Sequence, residues 1–136
     1  MMRIFCLVLL VVLHSGFEIN AQSCLPNGIT FSTQAEIDNF PTNYPGCTMI
    51  GGDVTISGPD IANLNGLSAL TAIAGYVQIQ HNPMLNTLGG LHNLVSVGGL
   101  WISVNDALQN LNGLNSLKTI DHNLVVSINN ALLDFS

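Results

Sequence analysis

Charge is what this sequence lacks most. Its 136 residues include two Lys or Arg and eight Asp or Glu, so 7% of the chain is charged and the net charge is −6. An average soluble domain carries about 25% charged residues. So few cations cannot neutralise a phosphate backbone, which removes nucleic acid as a partner, and they offer no basic patch to an anionic membrane surface. The 48% of apolar residues excludes charge-driven disorder, and the shortage of Glu and Lys excludes a coiled coil.

Catalytic signatures are missing as well. No Gly-x-Ser-x-Gly elbow occurs, and the acidic residues form no pair of the kind a glycosidase needs. His81, His92 and His122 fall at different places in the repeat described below, so they do not gather as metal ligands. Asp53, Asp60, Asp106 and Asp121 lack the Gly-rich nonapeptide that binds calcium in β-rolls. The expectation is a non-enzymatic chain with no metal and no cofactor.

What is there begins with a leader. Met1-Met2-Arg3 precede ten apolar residues, Ile4 to Leu13, too few for a bilayer core that needs about 20 in a helix. The more polar stretch that follows ends at small Ala21. Residues 1–21 therefore read as a secretory signal peptide, and the mature chain as one without a transmembrane segment, secreted or held at the cell surface. Cleavage removes Cys6 and leaves Cys24 and Cys47 where thiols oxidise. Two cysteines permit one disulfide, which would close a loop of about 23 residues and contribute roughly 3 kcal/mol. A zinc site would need two further ligands that are not nearby. A lipid on Cys24 is the weaker alternative, because Ala21-Gln22-Ser23 lacks the apolar residue expected three positions earlier.

From Val54 onward the chain aligns with itself in rows: 54–76, 77–99, 100–123 and a half row, 124–136. The period is 23 or 24 residues. Leu64, Leu88, Leu111 and Phe135 share one column; Ile61, Leu85, Leu108 and Leu132 share another; Gly66, Gly90 and Gly113 a third. Segments such as Val77-Gln78-Ile79 and Leu100-Trp101-Ile102 alternate inward and outward with β-favouring side chains, so each row supplies one short strand. The Leu-rich remainder, broken by Gly and Asn, reads as tight turns or 3₁₀ segments. Rows of this length stack as coils, with the strands in a parallel ladder and the apolar columns as one core.

Ahead of the rows, Thr33 with Glu36 three residues on forms a capping-box pattern for a short helix ending at Pro41. The expected organisation is a signal peptide at 1–21, an N-terminal cap at 22–53 held by Cys24–Cys47, and repeats at 54–136 with the last one incomplete. The half row at Ser136 implies further repeats or a partner covering the last coil.

The row pattern of apolar strand, Asn, then Leu-x-x-Leu-x-Gly-Leu-x-x-Leu-x-x-Ile resembles the receptor L-domain family, the leucine-rich-repeat-like β-helical ectodomains of insulin and epidermal growth factor receptors and of many secreted cell-wall proteins. The entry Cys47-Thr48-Met49-Ile50-Gly51-Gly52-Asp53-Val54-Thr55-Ile56 is similar to the way such domains enter their first strand. The resemblance covers about residues 24–136. It implies a mainly β fold, a short right-handed β-solenoid with a short N-terminal capping helix. With no kinase, transmembrane helix or cysteine-rich module in the sequence, it does not carry receptor signalling with it. Ordinary leucine-rich repeats are near neighbours, and 97–105 fits their pattern without a gap.

Asn82, Asn105 and Asn129 recur just after the strand, with Pro59 in that place in the first row. They read as a structural ladder bonding the backbone left free at the turn. The Gly66, Gly90 and Gly113 column reads as backbone conformations closed to other residues. Outward strand positions are Thr55, Gln78, Trp101 and Val125, flanked by Ser57, Gln80, Ser103 and Ser127. Trp is enriched where partners dock, which makes Trp101 the foremost candidate contact, with Thr55, Gln78, Gln80, Ser103 and Val125 around it. The partner expected for this face is an extracellular protein or glycan.

Overall fold

The computed structural model describes residues 23–133. The expected signal peptide at 1–21, and Phe135 of the Leu column, lie outside them. The fold is mainly β. Strands β1 (Ser23–Cys24) and β2 (Ile29–Phe31) lead into two short helices, α1 (Gln34–Asp38) and α2 (Phe40–Asn43). Strands β3 (Met49–Ile50), β4 (Val54–Ile56), β5 (Ala72–Gln80), β6 (Ser96–Ser103), β7 (Thr119–Ile120) and β8 (Leu124–Ser127) follow.

All pairings are parallel, and each joins one row to the next. One ladder runs Ile29, Val54, Val77, Leu100, Leu124. A second runs Met49, Ala72, Ser96, Thr119, so the long strands β5 and β6 serve both ladders. Between the two, the register of β5 against β6 shifts from Ile73↔Val97 to Tyr76↔Gly99. This is a bulge that inserts one residue and bends the strand at the junction.

The inward columns form the core. Val54, Val77, Leu100, Ile56, Ile79 and Ile102 are buried from the first ladder, and Ile50, Ile73 and Val97 from the second. Ile61, Leu85 and Leu108, with Leu64, Leu67, Leu70 and their equivalents one row on, close the far side. Burial fades along the rows, for Leu111, Leu114, Leu117, Ile120 and Val126 are only partly covered. Gly66, Gly90 and Gly113 differ from the expectation. Only Gly113 has a left-handed φ, +109°. What the column requires is close approach: a Cβ there would collide with the carbonyl of Ile37, Leu64 or Leu88 on the preceding turn.

Thr33 caps α1, its side chain accepting from the Glu36 N–H while the Glu36 carboxylate accepts from Thr33 N–H. The helical path does not stop at Pro41. Asn39 is followed by α2, where proline occupies the first turn and its missing N–H is not needed. Ile37 and Phe40 are the buried residues of these helices, and the Phe40 ring packs edge-on against Phe31 with centroids 5.7 Å apart. The disulfide joins Cys24 of β1 to Cys47, with their Cα atoms 5.7 Å apart.

Candidate binding face

The strand register sets the outward side chains in line. Thr30, Thr55, Gln78, Trp101 and Val125 are successive neighbours across β2, β4, β5, β6 and β8. Two residues along, Gln80, Ser103 and Ser127 form the next line. Trp101 is 47% exposed, an indole left open on the middle of a sheet. Thr55, Gln78, Gln80 and Val125 are half-buried, as expected of side chains packed flank to flank on a ladder. Ser103 departs from its expected role. It is only 6% exposed, a small hydroxyl sunk between Gln80 and Ser127, and offers little to a ligand.

A second ring lies beside this line. Tyr76, two residues before Gln78 on β5, lies on the same face, where its ring covers Gly99, and a Cβ at Gly99 would strike it. The Tyr76 hydroxyl donates to Asn123 Oδ1 at 3.4 Å, and its ring meets His122 edge-on at 5.4 Å. Its N–H donates to Asp53 Oδ1 at 2.8 Å. Tyr76 and His122 were absent from the candidates drawn from the sequence. The signal was in the rows all the same: Asp53, Tyr76, Gly99 and Asn123 share a column, and a lone aromatic beside a glycine one row on is a ring with room to lie flat.

The turn that ends each strand holds this face rigid. Asn82 and Asn105 are fully buried. Asn105 Nδ2 donates to the Ile79 carbonyl at 2.9 Å and to Asn129 Oδ1 at 3.2 Å. Its Oδ1 accepts from the Asn82 N–H at 3.2 Å and from Asn82 Nδ2 at 2.9 Å. Asn129 repeats the arrangement against the Ile102 and Ser127 carbonyls. In the first row Pro59 has no N–H to give, and the Gly58 N–H donates to Asn82 Oδ1 instead, at 2.9 Å. The residue before each asparagine, His81, Val104 or Ile128, is left-handed with φ between 51° and 57°. For Val and Ile that is a strained conformation, maintained here by the ladder around it.

Other features gather less. A depression of about 270 Å³ lined by Ile29, Thr30, Phe31, Glu36, Asn43 and Tyr44 opens at the β2 edge. Another of about 210 Å³, walled by Leu100, Leu111, Leu114, Leu117, Ile120 and Leu124, opens beside β8. Among the described residues there is no group of three or more His, Cys, Asp or Glu that could hold a metal ion, and no helix long and apolar enough to cross a membrane.

Parallel strands paired row to row, a leucine core repeated in columns and an open strand face define a mainly β protein built from repeats. The receptor L domain family model matches residues 46–136, and the chain belongs to that family. Receptor L domains are extracellular ligand-binding modules and not catalysts. No curated protein and no solved structure matches the chain significantly.

Proposed function

We propose that the chain is an exported, non-enzymatic recognition module that binds a protein or glycan through the strand face around Trp101. In this reading residues 1–21 are the signal peptide, 22–53 the N-terminal cap, and 54–136 the coils of a short right-handed β-solenoid. The observation that carries it is the half-exposed indole of Trp101, in register between Gln78 and Val125 on a ladder whose strand-ending turns are held by buried asparagines. Exposed aromatic surface of this kind gains most when a partner covers it, and a face that is already ordered loses little entropy on binding. Thr55, Gln78 and Gln80 supply hydrogen-bonding groups beside the ring, while Ser103 is a supporting residue and no contact.

The test is retention of the exported protein on arrays of glycans and extracellular proteins, run in parallel with Trp101→Ala. Selective retention that the substitution weakens supports recognition through this face. Uniform indifference across both arrays refutes it, and the coils would then serve as a spacer.

A further inference from the structure

Resting on that reading of the strand face, we propose that its ligand is a neutral polysaccharide, held on a platform made by Trp101 and Tyr76. The two rings sit on one side of the sheet. Tyr76 lies over Gly99, which is two residues before Trp101 on β6 and points the same way. Strand spacing and rise put the Tyr76 and Trp101 backbone positions diagonally about 8 Å apart, close enough for one oligosaccharide laid across the strands to meet both rings.

The chemistry around the rings selects the ligand class. A pyranose has an apolar face of C–H groups and a rim of hydroxyls. The face stacks on an aromatic ring, and the rim needs partners that both donate and accept. Gln78 and Thr55 on one side, and Asn123 beside Tyr76, are of that kind. No outward position on β2, β4, β8 or the second half of β5 and β6 carries a charge. Asp53, at the edge, is occupied by the Tyr76 N–H. Lys118, the one cation among the described residues, precedes β7 on the other ladder. Acidic polysaccharides and phosphorylated ligands therefore find no counter-charge here, and a protein partner finds neither the arginine nor the charge pattern that sets orientation and on-rate. No asparagine in the chain is followed two residues on by Ser or Thr, so no N-linked glycan of its own can cover the face.

Trp101 is the only tryptophan in the chain, so its emission reports this face alone. The exported protein is incubated with cellulose, chitin and mannan, with alginate and heparin as charged counterparts, and titrated with cello- and chito-hexasaccharide while tryptophan fluorescence is followed. Retention by at least one neutral polymer is expected, unaffected by salt up to about 1 M, with a saturable emission shift on adding its hexasaccharide. Trp101→Ala should weaken retention at least about tenfold, Trp101→Tyr should restore part of it, and Met84→Ala, at an exposed apolar residue off this face, should change nothing. Retention by charged polymers only, or retention of a neutral polymer that Trp101→Ala leaves intact, overturns the proposal. If no polysaccharide is retained but a protein ligand binds and Trp101→Ala weakens it, the glycan assignment fails and the recognition face stands. A ligand whose binding ignores both Trp101→Ala and Gln78→Ala removes the face itself.

Discussion

Replacing Asn105 by Ala should be among the costliest single changes in this protein. The side chain is fully buried and satisfies groups on both neighbouring rows. Its loss removes the acceptor of the Asn82 N–H and a donor to the Ile79 carbonyl, both in the interior. Asn82 Nδ2 keeps its bonds to the Ile56 and Gln80 carbonyls, and Asn129 Oδ1 keeps the Asn105 N–H, so the damage is confined to two orphaned groups. A buried polar group left without a partner costs about 1–3 kcal/mol. The expected destabilisation is therefore about 2–6 kcal/mol, a large part of the roughly 5–15 kcal/mol that holds a domain folded.

Urea denaturation followed by far-ultraviolet circular dichroism measures this directly, the midpoint falling while the slope stays constant. Asn86→Ala, at an exposed asparagine, is the control and should lie within about 0.5 kcal/mol of wild type. The double substitution Asn82→Ala with Asn105→Ala should cost less than the sum of the two singles, since removing the Asn82 side chain already breaks its Nδ2 bond to Asn105 Oδ1. An Asn105→Ala cost below about 0.5 kcal/mol, or strict additivity of the pair, would refute the ladder as a source of stability.

Three further outcomes follow from the same geometry. Val104→Asn should stabilise the fold by about 1 kcal/mol, read as a rise in denaturation midpoint, because a β-branched residue at φ 56° is replaced by one that tolerates that conformation. Gly90→Ala should cost at least about 2 kcal/mol, or prevent folding, since its methyl would overlap the Leu64 carbonyl. Reduction of Cys24–Cys47, 23 residues apart, should lower stability by roughly 3 kcal/mol, measured as the shift of the thermal midpoint on adding a thiol reductant under non-alkylating conditions.

Much of the fold was legible because it repeats. The columns of Leu and Ile recur at one spacing, and every strand predicted from Val54 to Val126 pairs in the register those columns require. The capping box was equally local, two side chains three residues apart. What escaped depended on contacts between rows. The second ladder, through Met49, Ala72, Ser96 and Thr119, carries no alternation long enough to announce a strand. The glycine column was visible, but its reason was not, since the carbonyl it must clear belongs to the preceding row. Parity sets Ser103 outward in line with Gln80 and Ser127, yet parity does not say how deeply a small side chain sinks between larger neighbours. Tyr76 shares the parity of Gln78, but it stands at the end of its row where the equivalents are Asp53, Gly99 and Asn123, so no β-favouring alternation across the rows marks it as part of a strand.

The rows of this one chain also separate what holds the fold from what is free to act. Where a position meets the core or the turn, the rows agree: Asn82, Asn105 and Asn129 in one column, Leu67, Leu91 and Leu114 in another. Each of these contacts its own equivalent one row away, so a change in one row forces a change in the next, and uniformity is the stable solution. The outward line of Thr30, Thr55, Gln78, Trp101 and Val125 repeats once, at Thr30 and Thr55, and then changes residue at every row. Nothing in the packing demands that it vary, and a spacer would be served as well by a uniform line of threonines, which suit an exposed strand face. An irregular face mounted on a regular frame is what selective binding of one surface requires, with the frame supplying rigidity and the irregularity supplying discrimination.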